Sequence, residues 1–330
     1  MRIESKLALS LAIGCATATV VSSAAMAQNY PTRSIRYIVP FPPGGITDLM
    51  ARNVAQKVTT TFNQPVVVDN RAGGNAMIGA DLAAKAPPDG YTWLGMTITH
   101  TINATLFPQA PYNFLRDLSA VSVLGSLPLV VVVNPTVPAR NLAQLTAIGK
   151  SRAINAGSSG NGTPEHLAME LYRQITGVKA THVPYKGAAP ATISLIGGEL
   201  DFIIAALPNV PPHLKTGKLR ALAVTSKSRH PLVPDIPTTA EAGLPALMIT
   251  SWTGLMVPSA TPPEIVKRIH SEVAGALKQP EMVQKLQEQG FEVVVNAPDE
   301  AQAFMASEVA RWGKVVREAN IKAEIGRAHV

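Results

Sequence analysis

Two apolar segments, Leu127 to Asn134 and Ala246 to Val257, constrain this chain more than any other feature. Around them, short β-branched runs alternate with stretches of helical period, the pattern of an α/β fold built on parallel sheet. If both segments are crossover strands, residues 127–251 form a lobe of their own, and residues 252–323 return to pack on residues 28–126. The expected architecture is two α/β lobes, the first discontinuous, joined by two strands around a cleft. Open α/β sheets place their ligands in such crevices.

The alternation predicts strands at Ile35–Pro40, Pro65–Asp69 and Tyr91–Met96, with helices at Asp48–Val58 and Ala76–Ala86. In the middle portion it predicts strands at Ile154–Ala156, Thr181–Val183, Leu200–Ala205 and Ala221–Thr225. Helices are expected there at Pro164–Thr176 and Ala189–Ile196, the second closed by Gly197-Gly198. Beyond Val257, Thr261-Pro262-Pro263-Glu264 predicts a capping box opening a helix to Leu277. A helix at Pro280–Gln289, a strand at Phe291–Val295 and a last helix at Asp299–Asn320 complete the pattern.

Four glycine-rich turns join a strand end to a helix start: Phe41 to Asp48, Asn70 to Asn75, Gly157 to Pro164, and Pro184 to Gly187. Glycine lets the backbone approach a ligand closely, and a helix N-terminus offers unpaired N–H groups at the positive end of its dipole. Such a site takes a carboxylate without an arginine. A single turn of this kind is more simply a tight turn, but four of them shared between both lobes favour a binding cleft. The candidate contacts are Phe41, Pro43, Gly44, Gly45, Asp48 and Asn75 in the first lobe, and Ser158, Ser159, Gly162, Thr163, His166, Tyr185, Lys186 and Gly187 in the second. Asp48 either meets a ligand hydroxyl or amine or stabilises its own helix, and Trp93, Trp252 and Trp312 are expected to be packing residues.

The N-terminus fixes the expected compartment. Arg2 and Lys6 precede the apolar stretch Leu7 to Val21, and Ala25-Met26-Ala27 is a small-residue cleavage signal. That is the layout of a secretory leader, cleaved after Ala27, with the protein expected in the periplasm. A lipid-attachment reading of Ala12-Ile13-Gly14-Cys15 fits less well, because Ala12 stands where leucine is usual and apolar residues follow. Cys15 is the only cysteine, so the mature chain has no disulfide, thiol catalysis or thiolate metal site. The formal charge is +7, and removing Arg2, Lys6 and Glu4 leaves +6. These charges are scattered without basic runs interleaved with aromatics, which argues against nucleic acid. Glu324 to Val330 break off from the preceding helix and back-translate to a common sequencing adapter, so the native chain is expected to end near Ala323.

Catalytic patterns fail in detail. No phosphate loop is present, and the frame around Ser159 lacks the second glycine of a nucleophile elbow. His166 lies near Ser159 but has no acid partner identifiable by spacing, so lining or capping is expected of it. His100, His182, His213, His230 and His270 show no metal-ligand spacing, and no metal or cofactor is expected. A periplasmic hydrolase or isomerase using Lys186 or Ser159 is the alternative from another class; a sensor partner of a membrane kinase is a third.

Pro40-Phe41-Pro42-Pro43-Gly44-Gly45 with Asp48, then Val68 to Asn75, Asp89-Gly90-Tyr91, Gly160 to Leu167, Val183 to Gly187, Gly198 to Asp201 and Gly217 to Ala223 resemble the Bug receptors in that order. These are the extracytoplasmic solute receptors of tripartite tricarboxylate transporters. The resemblance spans Tyr30 to about Ala323 and implies a monomeric two-lobe periplasmic binding protein of type II-like form, with Venus-flytrap closure and no enzymatic activity. It implies that a ligand carboxylate is held by backbone amides of the first turn and of the Gly160–Pro164 turn, and that membrane transporter subunits are the partners. By residue matching this falls on Pro43, Gly44, Gly45, Asp48, Ser159, Gly162, Thr163, His166, Tyr185 and Lys186, while Thr97, Thr99 and His100 line the first lobe's side. Where several relatives carry a polar or acidic residue, this chain has Ala205-Ala206, which weakens an amino-acid ligand because its ammonium needs a counter-charge.

Overall fold

In a computed structural model, residues 30–318 and residue 321 are described. The leader, Cys15, the cleavage site and the suspected foreign tail lie outside the described residues. The first stretch runs β1 (Ile35–Val39), α1 (Ile46–Phe62), β2 (Val66–Asn70), α2 (Met77–Ala84), β3 (Thr92–Thr97), α3 (Ile98–Leu106) and α4 (Phe114–Asp117). A sixteen-residue strand, β4 (Leu118–Val133), follows. Next come α5 (Leu142–Ser151), β5 (Ile154–Ser158), α6 (Pro164–Thr176), β6 (Ala180–Pro184), α7 (Ala188–Gly197), β7 (Phe202–Ala206), a 3₁₀ turn at Leu207–Asn209, α8 (Pro211–Lys215) and β8 (Arg220–Val224). The chain closes with β9 (Thr250–Pro258), α9 (Pro263–Leu277), α10 (Pro280–Glu288), β10 (Glu292–Val293) and α11 (Pro298–Glu318).

The strands lie in the order β2-β1-β3-β9-β4-β7-β5-β6, with β8 and β10 also paired to β4. The strand β4 is common to both lobes. Its first part, Leu118 to Pro128, pairs antiparallel with β9, and Leu129 to Val133 pair with β7 and β8 instead. Pro128 sits at this exchange of partners, where a residue without an N–H costs the ladder least. Nearly the whole of β4 is buried, so it reads as a continuous apolar run and not as an alternating one. The fold is therefore α/β with two lobes, a discontinuous first lobe and crossover strands. The sheet is mixed, not parallel throughout, because β9 runs against both β3 and β4, and β4 runs against β7.

Several boundaries differ from expectation for physical reasons. The strand expected from Leu127 begins nine residues earlier, at Leu118, since Ser119, Ser122 and Ser126 interrupt the apolar run without breaking the ladder. Of Ala246–Val257 only the part from Thr250 is strand, and Phe291–Val295 reduces to β10. The last helix begins at Pro298 and is described to Glu318, and Asn320 lies outside the described residues. The capping box does not form. Pro262 is the N-cap and gives no side-chain hydrogen bond, and the buried Thr261 hydroxyl has no partner. The sequence signal fails because two prolines move the helix start past Thr261.

The three tryptophans are core residues, and two share an acceptor beside the crossover. Trp252 on β9 and Trp312 on α11 each donate 2.9 Å bonds to Glu308 Oε2. Arg311 pairs with the other Glu308 oxygen at 3.4 Å and donates to Met248 O at 3.1 Å. Truncating Glu308 strands two buried indole N–H groups. Glu308→Ala is expected to cost about 2–4 kcal/mol in chemical denaturation, with Glu308→Gln recovering part of it through its carbonyl oxygen.

Candidate functional site

All candidate turns lie at the C-terminal ends of the strands β1, β2, β3, β5 and β6. The first leaves β1 through Pro40 and enters α1 with Gly45 as an extended N-cap that lacks a side-chain cap. Gly44 has φ +83°, a left-handed value that glycine takes without penalty. The buried Asp48 organises this turn. Its Oδ2 accepts from Gly44 N at 2.9 Å and Arg52 Nε at 2.8 Å, while Oδ1 accepts from Asn70 Nδ2 at 2.9 Å. Asn70 also donates to Phe41 O at 3.0 Å. Of the two roles open to Asp48, the one seen here is local: it fixes its own helix start. Burial alone would raise its pKa, but the Arg52, Gly44 and Asn70 bonds outweigh this and hold it below the usual carboxylate range. With Gly44 N–H engaged, the amides of Gly45, Ile46, Thr47 and Asp48 are the ones that helix geometry leaves without an intrahelical acceptor.

The second turn carries Asn75 and Ala76 in consecutive left-handed conformations, φ +55° and +71°. A non-glycine residue there costs roughly 1–2 kcal/mol. A reciprocal pair offsets the cost: Asn75 Nδ2 donates to Asn103 Oδ1 at 2.8 Å, and Asn103 Nδ2 donates to Asn75 O at 2.7 Å. The third strand ends in a capping box. Thr97 accepts from Thr99 N at 3.2 Å, and His100 Nδ1 accepts from Thr97 N at 3.1 Å. His100 is fully buried between Phe114, with rings stacked at 5.9 Å, and Phe41, edge-on at 6.2 Å. Burial drives its pKa down to about 4, so the ring is neutral. Its contact with Phe41 ties the β3 end to the first turn.

In the middle lobe, Thr163 caps α6 with Pro164 at the first helical position. Gly162 N donates to His166 Nδ1 at 3.1 Å, which places the ring proton on Nε2, and Nε2 lies 3.7 Å from Glu170 Oε1. His166 therefore does have an acid neighbour, one helical turn on, although no partner was expected from spacing. Arg173 holds the same carboxylate at 2.8 Å. The His166 ring stacks on that of His182 at 3.8 Å, and His182 Nε2 is 2.6 Å from Ser158 Oγ. Burial first, then the neighbouring His166 and Arg173, depress the His182 pKa to about 4 despite Glu170. Ser159 donates to Glu165 at 2.7 Å. Burial pushes the Glu165 carboxyl upward, with bonds from Ser159, its own amide and Thr163 opposing.

The fourth turn is sewn to the third: Tyr185 N donates to Ser158 O at 3.0 Å and Gly187 N to Ser159 O at 3.1 Å. The Tyr185 hydroxyl is engaged by Ser194, and Lys186 is exposed. The two lobes meet at Gly162. A Cβ built there would lie 3.1 Å from both Asn75 Nδ2 and Leu106 Cδ2, across the cleft. So the structure brings together the turns of both lobes, with Thr97, Thr99 and His100 behind the first, while Lys186 stands at the rim. Asn70, Asn103, Glu165, Glu170 and His182 were not expected as functional residues. Asn70 and Glu165 stand inside the motifs, and Glu170 is signalled by its spacing of four from His166.

A groove along β1 and β2, from Arg33 to Arg71, also carries cations, but Arg33 pairs with Asp89 and Arg36 and Arg71 with Asp69. Among the described residues no group of three His, Cys, Asp or Glu could hold a metal ion.

The family model of the tripartite tricarboxylate transporter family receptor matches residues 50–321. Protein BugT of Bordetella pertussis (strain Tohama I) is 39% identical over 315 residues, covering 94% of this chain and 97% of that protein. An R. palustris protein solved with adipate superposes with TM-score 0.83 at 36% identity, covering 89% of this chain and 99% of its own. MatC from Rhodopseudomonas palustris with bound malate gives TM-score 0.77 at 30% identity, covering 87% and 100%.

Two substitutions test the geometry. Gly162→Val puts a branched side chain at φ +70° and against Asn75 and Leu106; circular dichroism is expected unchanged, with ligand affinity lost. Asp48→Ala is expected to cost about 2–3 kcal/mol near neutral pH. Because Asp48 is depressed in the folded state, its contribution is complete above the unfolded value of about 4 and disappears as pH falls through its own lower pKa. Denaturant midpoints of the two proteins should converge in acid.

Proposed function

The chain belongs to the family of tripartite tricarboxylate transporter receptors, and we propose that it is a periplasmic monomer that closes over a small organic carboxylate and delivers it to a membrane transporter. The observation that carries this reading is the approach of Gly162 to Asn75 and Leu106, which sets glycine turns of the two lobes face to face. The carboxylate lies against the N-terminal amides of α1 and faces the start of α6, whose own first-turn amides are engaged. Both helix ends direct positive dipole into the crevice. Of the cations at the turns, Arg52 is held by Asp48, Arg71 by Asp69 and Arg173 by Glu170, while Lys186 stands exposed at the rim. Backbone amides are thus the anion-binding groups, with Ser159, Thr163 and the Asn75 amide as their polar neighbours. Bound adipate and malate in two relatives support a carboxylate as the ligand class.

In a receptor the two lobes are rigid bodies and β4 with β9 forms the hinge between residues 28–126 plus 252–323 and residues 127–251. Pro128 and the crossover at Leu247 to Ser251 take up the change in angle.

A thermal-shift panel of mono-, di- and tricarboxylates and aromatic acids tests the proposal. A true ligand at a hundredfold excess over its Kd stabilises the native state by about 2.7 kcal/mol, which raises Tm by about 4 °C for a chain of this size. NMR of the incubated ligand should show no product with wild type. Turnover that disappears in Lys186→Ala would establish the enzymatic alternative instead.

A further inference from the structure

The ring of His166, almost fully buried at the start of α6, lies between two partners and bonds only one of them. Its Nδ1 accepts from Gly162 N at 3.1 Å, while its Nε2 is 3.7 Å from Glu170 Oε1, beyond hydrogen-bond reach. An imidazole nitrogen accepts only while the ring is neutral, since the protonated ring carries N–H on both nitrogens. Protonation therefore sets Nδ1–H against the Gly162 N–H, two donors face to face in a buried site. Glu170 is the acceptor on the ring's other side. Burial alone would raise its pKa, but His166 and Arg173 outweigh this and hold it below the usual carboxylate range. It is ionised when the ring takes up a proton.

The other groups around the ring leave this exchange to His166. Of the strands under α6, β5 and β7 carry no titratable side chain, and β6 carries His182. The two imidazoles stack at 3.8 Å, 6° from parallel. The Ser158 hydroxyl donates to Gly160 O at 3.0 Å, so in its 2.6 Å contact with His182 Nε2 the histidine is the donor. That bond survives protonation of His182, whereas the Gly162 bond does not survive protonation of His166. Because His182 is itself neutral, no second charge opposes His166 across the stack. On α6 the charged neighbours are Glu165, Glu170 and Arg173; Glu165 is engaged by Ser159, and Arg173 by Glu170. Asn75 and Leu106 face Gly162 from the first lobe, and neither ionises.

We propose that His166 is a proton-sensitive latch on the Gly160–Thr163 turn. Neutral, it holds Gly162 in place opposite Asn75 and Leu106; protonated, it turns to Glu170 and lets the turn go. This rests on the receptor reading above, where its consequence is a weaker grip on the carboxylate in acid. Glu170 meets the new charge directly, so the loss of the turn outweighs the added attraction for an anion. His166 is thus a positioning residue that ties ligand affinity to pH.

Nuclear magnetic resonance of the mature protein between about pH 8 and about pH 5 tests the latch without a ligand. The Gly162 amide resonance is expected to move with the same midpoint as the His166 ring, and its hydrogen exchange to quicken as the ring protonates. His166→Asn offers Oδ1 near the place of Nδ1 and gains no proton, so its Gly162 resonance is expected to stay put. Isothermal titration with adipate and with malate reads the consequence. For the probe that binds, wild type is expected to lose about tenfold in affinity across that range, and His166→Asn about twofold at most. Glu170→Gln withdraws the acceptor of the protonated ring and is expected to lower the His166 midpoint; it decides should the asparagine variant not fold. A Gly162 amide indifferent to the His166 titration, or a pH dependence of affinity unchanged in His166→Asn, overturns the latch while the receptor reading stands. Should neither probe bind, the Gly162 resonance alone decides the latch, and the failure falls on the proposed ligand class.

Discussion

The strand β4 changes partners partway along its length, and the rest of the molecule is arranged around that exchange. Leu118 to Pro128 belong to the ladder with β9, and Leu129 to Val133 to the ladders with β7 and β8. A single buried strand thus serves two sheets, and each sheet must place its loops relative to it. Because β1, β2, β3, β5 and β6 carry the candidate turns at their C-terminal ends, those turns converge without any long loop. The Glu308 carboxylate, gripped by two indoles beside β9, anchors α11 to the crossover.

On the proposed receptor reading, that convergence lets an anion be held with few cations. Helix α1 contributes unpaired amides, whereas those of α6 are engaged: Thr163 N with Gly160 O, Glu165 N with its own carboxyl and His166 N with Thr163 Oγ1, Pro164 having none. Asp48 occupies the Gly44 amide and Arg52 together, which leaves the next amides of α1 as donors. In the middle lobe, His166 takes the Gly162 amide, and the stacked His182 keeps Ser158 in place. Depression of the His182 pKa means that this support is uncharged near neutral pH, so it adds no competing field to the anion site. Arg173 and Glu170 neutralise one another behind the ring pair.

The four turns were legible in the sequence because a glycine cluster set between a strand period and a helix period marks a tight strand-to-helix connection. The two lobes followed from the spacing of two apolar runs, since an insert between crossover strands must bury its own core. What stayed hidden depends on packing between distant segments. Nothing near Asn103 signals a turn partner, yet α3 brings it against Asn75, 28 positions earlier. His182 gained a role only because α6 lies over β5 and β6. The apparent capping box at Thr261 failed because local spacing could not show that the prolines displace the helix start. Asp48 was legible as important but not as a loop organiser, because that role needs Asn70, brought to it from a different element.

Rigidity of these turns is itself part of recognition. Ordering a loop or a side chain at the moment of binding costs about 0.5–1.5 kcal/mol for each rotamer-rich group. Here the ordering is done in advance, by the reciprocal Asn75–Asn103 pair, the Thr97–His100 box, the Asp48 hub and the bonds that fasten residues 185–187 to Ser158 and Ser159. The left-handed backbone at Asn75 and Ala76 is unfavourable in isolation and persists because Asn103 holds it. Strain retained at that position serves to aim the Asn75 amide at the Gly162 turn. On the proposed receptor reading, closure needs only rotation about the crossover strands between these preformed halves, and little of the interaction with the ligand is lost to ordering.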